Sequence, residues 1–320
     1  MSLPSHLLEL LLAPTAAPGE CPDVSAWWPR HLAIVREWKL PIERSIAGGL
    51  AADRAGWAFA CGYQASLRAL LPALPDDALA AMCVTEEGGN QPRAIRSALR
   101  DAGGGRLRLD GSKRWTTLGP ASGLLLVAAA DLRGEPGERP RIRVARVDAG
   151  APGVALQPMP DARFVPEVPH ARVAFDGVSI EEDALLPGDG YDGYVKPFRT
   201  IEDTQVSAAV LAYLLAESRR RDWPHAWCER ALSTLLAFSD VALLDPAAAP
   251  THIALAGALA SAHELFAQAG ALFAQGAQDE PARRWARDSA LLQVAGGVRA
   301  QRAARAWERV DAVSRQRPRA

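Results

Sequence analysis

The stretch that decides the fold runs from residue 83 to residue 119 and reads CVTEEGGNQPRAIRSALRDAGGGRLRLDGSKRWTTLG. It opens with a short run of β-forming residues that ends at Thr85, just before two glutamates and a Gly-Gly pair. It closes with a basic turn that leads into Trp115, Thr116 and Thr117. The three consecutive glycines between these ends permit positive φ angles, which predicts a hairpin-like turn. The stretch therefore predicts two strand ends that carry threonine, in a chain that is otherwise rich in alanine.

The region around this stretch, from about residue 81 to 180, has the pattern of a β-domain. Short runs of β-forming residues are bounded by glycine, proline or aspartate. These runs are AMCVTE, RLRLDG, GLLLVAAAD, RIRVARVD, GVALQPM and HARVAFDGVSI, with an exposed loop predicted at RGEPGERPR (133–141). Six or more short strands with turn signals favour a small antiparallel barrel or sandwich.

Helical patterns flank the β-region on both sides. Apolar residues recur three and four positions apart between residues 24 and 71, and a short amphipathic helix is predicted near the N-terminus. Beyond about residue 191, four long helical patterns with prolines at their breaks predict a four-helix bundle: 194–221, 224–244, 251–277 and 281–313. The predicted fold is α+β, with an N-terminal helical domain (1–80), a middle β-domain (81–187) and a C-terminal bundle (188–320).

The composition of the chain limits which classes of partner and which cellular compartment are expected. With 320 residues, 49% of them hydrophobic, the chain can bury a large core. The formal net charge of −1 gives no reason to expect nucleic acid as a partner. Four widely spaced cysteines suit the cytoplasm, and no histidine–cysteine spacing indicates a metal site. The apolar N-terminal run is too short for a membrane span and lacks the basic flank of a signal peptide.

In this order of domains, the chain resembles the acyl-CoA dehydrogenase family. The family's middle domain begins with a strand ending in Thr-Glu-Pro-Gly-x-Gly-Ser-Asp, and this chain has VTEEGGN at 84–90. A later family segment, Asn/Asp-Gly-x-Lys-x-Trp-Ile-Thr-Asn-Gly, has its counterpart in DGSKRWTTLG at 110–119. Farther along, FDGVSIEEDALLPGDGYDGY (175–194) is similar to the strand and glycine-rich loop that lead into the family's bundle. The resemblance covers nearly the whole chain and is most specific at residues 82–127.

The resemblance implies a flavin cofactor, FAD, beside the two strand ends. By position, the cofactor-binding residues would be Val84, Thr85, Trp115 and Thr117, with Asn90 in place of the family's serine. Backbone groups and the threonine hydroxyl of the first strand would hydrogen-bond the ring, and the Trp-x-Thr of the second would cover one face. Fixed donors next to a flavin stabilise the charge it gains when it accepts a hydride. Taken singly, a Thr-Glu pair and a Trp-Thr-Thr run are also ordinary strand residues.

The departures from the family pattern concern the catalytic base. Dehydrogenation of an acyl thioester needs a carboxylate to remove the α-proton, and the family's C-terminal Tyr-Glu-Gly-Thr is absent. Glu202 and Asp203, on the predicted first bundle helix, are the candidate catalytic residues. They can equally be acids that favour a helix start. Two functions therefore stay open: a flavin-dependent dehydrogenase acting on the CH–CH group of an acyl thioester, or a catalytically silent relative that serves as a partner subunit or scaffold.

Further implications concern partners. The acyl group would ride on CoA or on a carrier protein, and electrons would pass to an electron-transfer flavoprotein. A homodimer or homotetramer is expected, because family flavin sites are completed across a subunit interface.

GDGYDG at 188–193 matches a dinucleotide fingerprint literally, but no βαβ unit surrounds it and its aspartates would repel phosphate. We therefore interpret this segment as the loop that enters the bundle.

Overall fold

The structure is a computed structural model that describes residues 3–13, 16–134, 140–294 and 296–316. The chain divides into two compact units. The helical unit comprises the chain up to residue 69, residues 163–165 and the chain from residue 200; the β unit comprises 70–162 and 166–199. The three-domain division at 80/81 and 187/188 stays a prediction. The centre of the predicted RGEPGERPR loop, residues 135–139, lies outside the described residues.

The N-terminal part of the helical unit confirms the helical pattern of the sequence. Its helices are α1 (Ser5–Leu12), α2 (Val24–Val35), α3 (Pro41–Leu50) and α4 (Ala55–Leu70). Helix α1 is amphipathic, since Leu7 and Leu11 are fully buried on one face. Helix α2 begins where the Asp23 side chain accepts a hydrogen bond from the Ala26 amide at 3.0 Å.

Glycines allow α3 and α4 to pack closely against α5. A Cβ atom at Gly62 would lie 2.6 Å from the Val206 Cα, and one at Gly49 would collide with the carbonyl of Ala209. Glycine is therefore required at both positions because the helix backbones themselves meet.

The β unit holds a curled seven-stranded sheet within the described residues. Its strands are β1 (Ala80–Cys83), β2 (Ala98–Gly103), β3 (Arg106–Thr117), β4 (Leu124–Asp131), β5 (Arg141–Asp148), β6 (Val154–Pro158) and β7 (His170–Glu181). Their order is β1-β4-β2-β3-β7-β6, and β5, which is not on this path, pairs with β4. The predicted glycine turn joins β2 to β3, and Gly103, Gly104 and Gly105 all have positive φ.

Two details of the sheet differ from the pattern that the sequence suggests. β1 and β2 both pair with β4 in parallel, so the sheet is mixed, although its longest pairings are antiparallel. The sequence pattern does not predict β2 as a strand, because only its first two residues are buried. The core lies on the apolar face of the sheet, where Leu99, Leu107, Leu109, Leu125 and Val127 are almost fully buried.

The C-terminal helices agree with three of the four predicted patterns to within a few residues. They are α5 (Lys196–Arg220), α6 (His225–Val241), α7 (Ala249–Gln275), α8 (Glu280–Asp288) and α9 (Gly296–Gln316). The fourth predicted helix, 281–313, is wrong as a single element because a 3₁₀ segment at Ser289–Gln293 divides it. Gly296 and Gly297, which are poor helix formers, lie just after this break. None of the helices in the described ranges is long and apolar enough to cross a membrane.

Candidate flavin-binding site

The two sequence stretches that were predicted to meet do meet at one end of the sheet. Val84 and Thr85 follow the last residue of β1, and both are half-buried. The Thr85 carbonyl accepts a hydrogen bond from the Arg114 amide at 2.8 Å, and the Val84 carbonyl lies 3.4 Å from Nζ of Lys113. Thr85 is thus tied to β3 by its backbone, although it lies just outside the strand.

Trp115 lies at an irregularity of β3. The register with β7 shifts between Lys113 and Thr116, and Trp115 adopts a left-handed backbone with φ of +58°. This conformation costs a residue with a side chain about 1–2 kcal/mol. The bulge leaves the indole 47% exposed, while its amide donates to Sδ of Met159 at 3.3 Å. Strained bulges that present a side chain at the end of a sheet are common beside binding sites.

Thr117 is paired in the sheet with a histidine that sequence reasoning missed. His170, the first residue of β7, is opposite Thr117, and its Nε2 lies 3.4 Å from the threonine Oγ1. The imidazole also meets the Trp115 ring edge-on, with centroids 6.0 Å apart. Burial lowers the pKa of His170, opposed by a hydrogen bond to the backbone of Val168. No sequence signal could have identified this histidine, because strand register alone brings the two residues together.

A buried ion pair connects the two stretches behind these surface residues. The Lys113 ammonium lies 2.6 Å from Oε1 of Glu86, and the lysine side chain is 0% exposed. Glu86 also accepts hydrogen bonds from the Ser97 amide (3.0 Å), the Ser97 hydroxyl (2.9 Å) and the Arg96 amide (2.8 Å). Burial alone would raise the pKa of the Glu86 carboxyl, but Lys113 and these donors outweigh it and lower the pKa. The pair fixes the segment that carries Val84 and Thr85.

Asn90 belongs to the loop that follows Glu86. This loop borders a cleft of about 640 Å³ whose lining includes Asn90 and the exposed Arg93 and Arg96. The Asn90 side chain is exposed, and its carbonyl accepts a hydrogen bond from Arg199 at 3.1 Å. The lining of this cleft is of mixed charge, because the carboxylates of Glu86 and Glu87 border it together with the two guanidinium groups.

The candidate catalytic acids lie on α5 in the helical unit. They are beyond the first turn of α5, which begins at Lys196, so the helix-start explanation for them does not hold. Asp203 is 9% exposed, and its carboxylate accepts hydrogen bonds from Arg299 (2.8 Å) and Arg302. Both oxygens of the Asp203 carboxylate are therefore occupied by charge-assisted hydrogen bonds. Glu202 is half-buried.

The GDGYDG segment has a local structural role. Asp189 accepts hydrogen bonds from the amides of Tyr191 (2.8 Å) and Asp192 (2.7 Å), and a π-helical turn from Tyr191 to Val195 leads into α5. The backbone amides that a phosphate would need are therefore occupied by a carboxylate.

Comparison with known proteins places this arrangement among the acyl-CoA dehydrogenase folds. The structure of butyryl-CoA dehydrogenase from Megasphaera elsdenii superimposes with a TM-score of 0.64 at 16% identity, over 95% of this chain and 97% of that one. FMN-bound TdsC from Paenibacillus sp. A11-2 gives a TM-score of 0.68 at 16% identity, over 88% of each chain. At such identities the likeness shows the fold.

The sequence comparisons match part of the chain to this family. Residues 81–178 match the model of the acyl-CoA dehydrogenase middle domain. Benzylmalonyl-CoA dehydrogenase of Aromatoleum aromaticum (strain DSM 19018 / LMG 30748 / EbN1) is 26% identical over 155 residues, which are 47% of this chain and 39% of that protein. The match thus spans about two fifths of the relative's length. The chain carries the middle domain of the acyl-CoA dehydrogenase family, and the resemblance to this family is confirmed.

Proposed function

We propose that the protein is a flavin-dependent oxidoreductase of the acyl-CoA dehydrogenase type, acting on the CH–CH group of an acyl thioester. The observation that carries the proposal is the end of the sheet at Thr85, Trp115 and Thr117. There a strained bulge presents an exposed aromatic ring next to a half-buried hydroxyl. The family match over residues 81–178 supports the same assignment.

The residues present fit a flavin ring. Trp115 offers an aromatic plane for stacking, Thr117 a hydroxyl, and Val84 and Thr85 the backbone beside it. Asn90, Arg93 and Arg96 would meet the phosphate part of the cofactor or of CoA. We propose FAD, as the family resemblance implies, with FMN as the alternative because TdsC of the same fold is an FMN-bound structure.

A bound flavin would supply the acceptor for the hydride that leaves the β-carbon of the substrate. The chain itself must supply the group that takes the α-proton. We assign that task to Glu202 or, as the less favoured candidate, to Asp203, whose carboxylate meets Arg299 and Arg302. The substrate is proposed to be an acyl thioester of CoA or of a carrier protein, and an electron-transfer flavoprotein would reoxidise the flavin.

Flavin binding is tested first, on the purified protein. Flavin absorbance, or its appearance after incubation with FAD or FMN, is the expected result. Thr117→Val nearly preserves volume on a strand, so the fold should persist while flavin affinity falls by about 1 kcal/mol for one lost hydrogen bond. Unchanged affinity and spectrum in Thr117→Val would remove this residue from the site.

Catalysis is tested separately, by anaerobic bleaching of the bound flavin with acyl-CoAs of several chain lengths. Glu202→Gln should slow bleaching strongly. Asp203→Asn should mainly lower the free energy of unfolding. Wild-type rates in both variants would show that neither acid is the base.

A second candidate function is a catalytically silent member of the fold that acts as a partner subunit. The engagement of Asp203 by two arginines favours it, together with the missing Tyr-Glu-Gly-Thr. A colourless protein that cannot be reconstituted with either flavin would make this function the better one.

We further propose a cytoplasmic homodimer or homotetramer. Helix α7 is rich in alanine and allows close helix approach, and the four cysteines are buried and unpaired. Light scattering at micromolar concentration should give a dimer or larger; a monomer would count against a site completed between subunits.

A further inference from the structure

A cavity of about 380 Å³ lies among α2, the end of α3 and α4. All of its lining residues lie between residues 18 and 61, so the cavity belongs to the helical unit, whereas the strand ends of the candidate flavin site belong to the β unit. Cavities of this volume are the size of small-molecule sites in proteins. Neither the proposed flavin site nor the candidate catalytic acids include any residue of its lining.

The walls of the cavity are aromatic and aliphatic. The rings of Trp27 and Trp57 line it and stack on each other, with centroids 5.1 Å apart and planes 8° from parallel. His31 continues this stack, with its ring centroid 4.9 Å from that of Trp27. Ile34 and Ala52 add aliphatic surface. Walls of this kind suit a flat, apolar molecule, because aromatic rings pack well on one another by their faces and edges.

Most polar groups of the lining are uncharged or already have partners. Nδ1 of His31 lies 3.2 Å from Sγ of Cys61, and both residues are buried. Burial lowers the pKa of His31 to about 3 and raises the pKa of Cys61 to about 12, so both are neutral at pH 7. Arg30 is exposed, and its Nη1 donates to the carbonyls of Gly19 (2.9 Å) and Glu20 (3.1 Å).

Asp53, the carboxylate of the lining, has one oxygen that is fully engaged and one that is not. Oδ2 accepts hydrogen bonds from the amide of Cys21 (3.0 Å) and from Nε (3.1 Å) and Nη2 (2.6 Å) of Arg54. Oδ1 has no hydrogen-bond partner among the described residues, and the side chain is only 7% exposed. A buried acceptor in this state destabilises the protein. Since Arg54 already balances the negative charge, Oδ1 lacks a hydrogen-bond donor and not a second cation.

We propose that this cavity binds a small, flat, uncharged molecule with one hydrogen-bond donor, its apolar body against Trp27 and Trp57 and its donor on Oδ1 of Asp53. The rings select for the apolar body, and the carboxylate selects for the donor. Ala33 lines the cavity and is exposed, so the cavity opens beside this residue of α2. The site needs neither a flavin nor a thioester, so it is independent of the proposed function.

The first experiment compares 4-methylphenol with 4-methylanisole by titration calorimetry at pH 7.5. Both probes have the same ring, but only the phenol has a hydroxyl hydrogen to donate. We expect 4-methylphenol to bind with one molecule per chain and the methyl ether to bind about tenfold more weakly, because one hydrogen bond to a carboxylate is lost. The indole N–H signal of Trp57 in a nitrogen-15 NMR spectrum should move on binding, and Trp57→Phe identifies that signal.

Variants locate the bound probe. Ala33→Trp fills the opening from an exposed helix position, so the fold should persist while both probes lose most of their affinity. Ala226→Trp, at an exposed position of α6 outside the cavity, is the matched control and should bind both probes as the wild type does. Asp53→Asn keeps an oxygen for Cys21 and Arg54 and puts an amide NH₂ in place of Oδ1, so the tenfold preference should disappear.

Several results would overturn the proposal. Equal affinity of the wild type for the two probes would do so, and so would the absence of binding at millimolar concentration, because water alone would then fill the cavity. Undiminished binding in Ala33→Trp would place the probe elsewhere. If Asp53→Asn does not fold, the comparison of the two probes in the wild type still decides. A protein that binds no flavin loses the proposed function but keeps this site.

Discussion

Replacing Glu86 and replacing Lys113, the two partners of the buried ion pair, should destabilise the protein by different amounts. Lys113 is 0% exposed, and within the described residues its ammonium meets Glu86 and the carbonyl of Val84. Glu86 has three further donors, from the backbone and hydroxyl of Ser97 and the backbone of Arg96. Removing the lysine therefore leaves a carboxylate that is still hydrogen-bonded, whereas neutralising the glutamate leaves a buried ammonium almost alone.

The magnitudes follow from what each substitution leaves behind. Breaking a buried pair by removing one partner costs about 3–5 kcal/mol of unfolding free energy. We expect Lys113→Met near the lower end, about 3 kcal/mol. Glu86→Gln should lie near the upper end, about 5 kcal/mol, because its new amide group would also face the donors of Ser97 and Arg96.

The assay is urea unfolding followed by far-UV circular dichroism, comparing midpoints and slopes. Lys196→Met is the matched control, because Lys196 and its partner Asp192 are 58% and 72% exposed and 3.2 Å apart. It should cost less than about 0.5 kcal/mol. The reasoning is refuted if Lys113→Met costs no more than this control. It also fails if Glu86→Gln costs less than Lys113→Met.

The stability that the Glu86–Lys113 pair contributes should also depend on pH. Since the pKa of Glu86 is lowered from 4.5 in the folded protein, its contribution to stability is present above pH 4.5 and lost as pH falls through the folded pKa. Lys113→Met removes the largest cause of the lowering. The loss of stability on acidification should therefore be smaller in this variant than in the wild type.

Two further predictions concern the helical unit. Burial and two nearby arginines hold the pKa of His31 at about 3, so the free energy of unfolding should fall as pH drops from about 6.5 toward 3. His31→Gln should make the urea midpoint less dependent on pH. His225→Gln, at an exposed position, should leave that dependence unchanged. Gly62→Ala should destabilise by about 1–3 kcal/mol because its Cβ would meet the backbone of Val206, whereas Gly257→Ala, with open space around it in α7, should stabilise by up to about 1 kcal/mol. Equal melting temperatures for the two alanine variants would contradict the close packing of α4 on α5.

The sequence by itself determined the order of elements and most of their positions. Apolar periodicity of 3.6 or 2 residues is a local property, so α1, the helical region that holds α2 to α4, the helices α5 to α7 and six of the seven strands of the described sheet could be predicted. The motifs at 84–90 and 110–119 were also enough to show the resemblance to the family, and that resemblance implied that Thr85 and Trp115 lie near one another. The local pattern did not predict two features: β2, which buries only two residues, and the break between α8 and α9.

Only the tertiary structure decided which side chains meet. The bulge that turns Trp115 outward, the ion pair of Lys113 with Glu86, and the contact of His170 with Thr117 all depend on strand register. Register follows from how whole strands bury their apolar faces, and a shift of one residue would move each side chain to the other face. A pairing across 53 residues, such as that of Thr117 with His170, therefore has no local signal in the sequence.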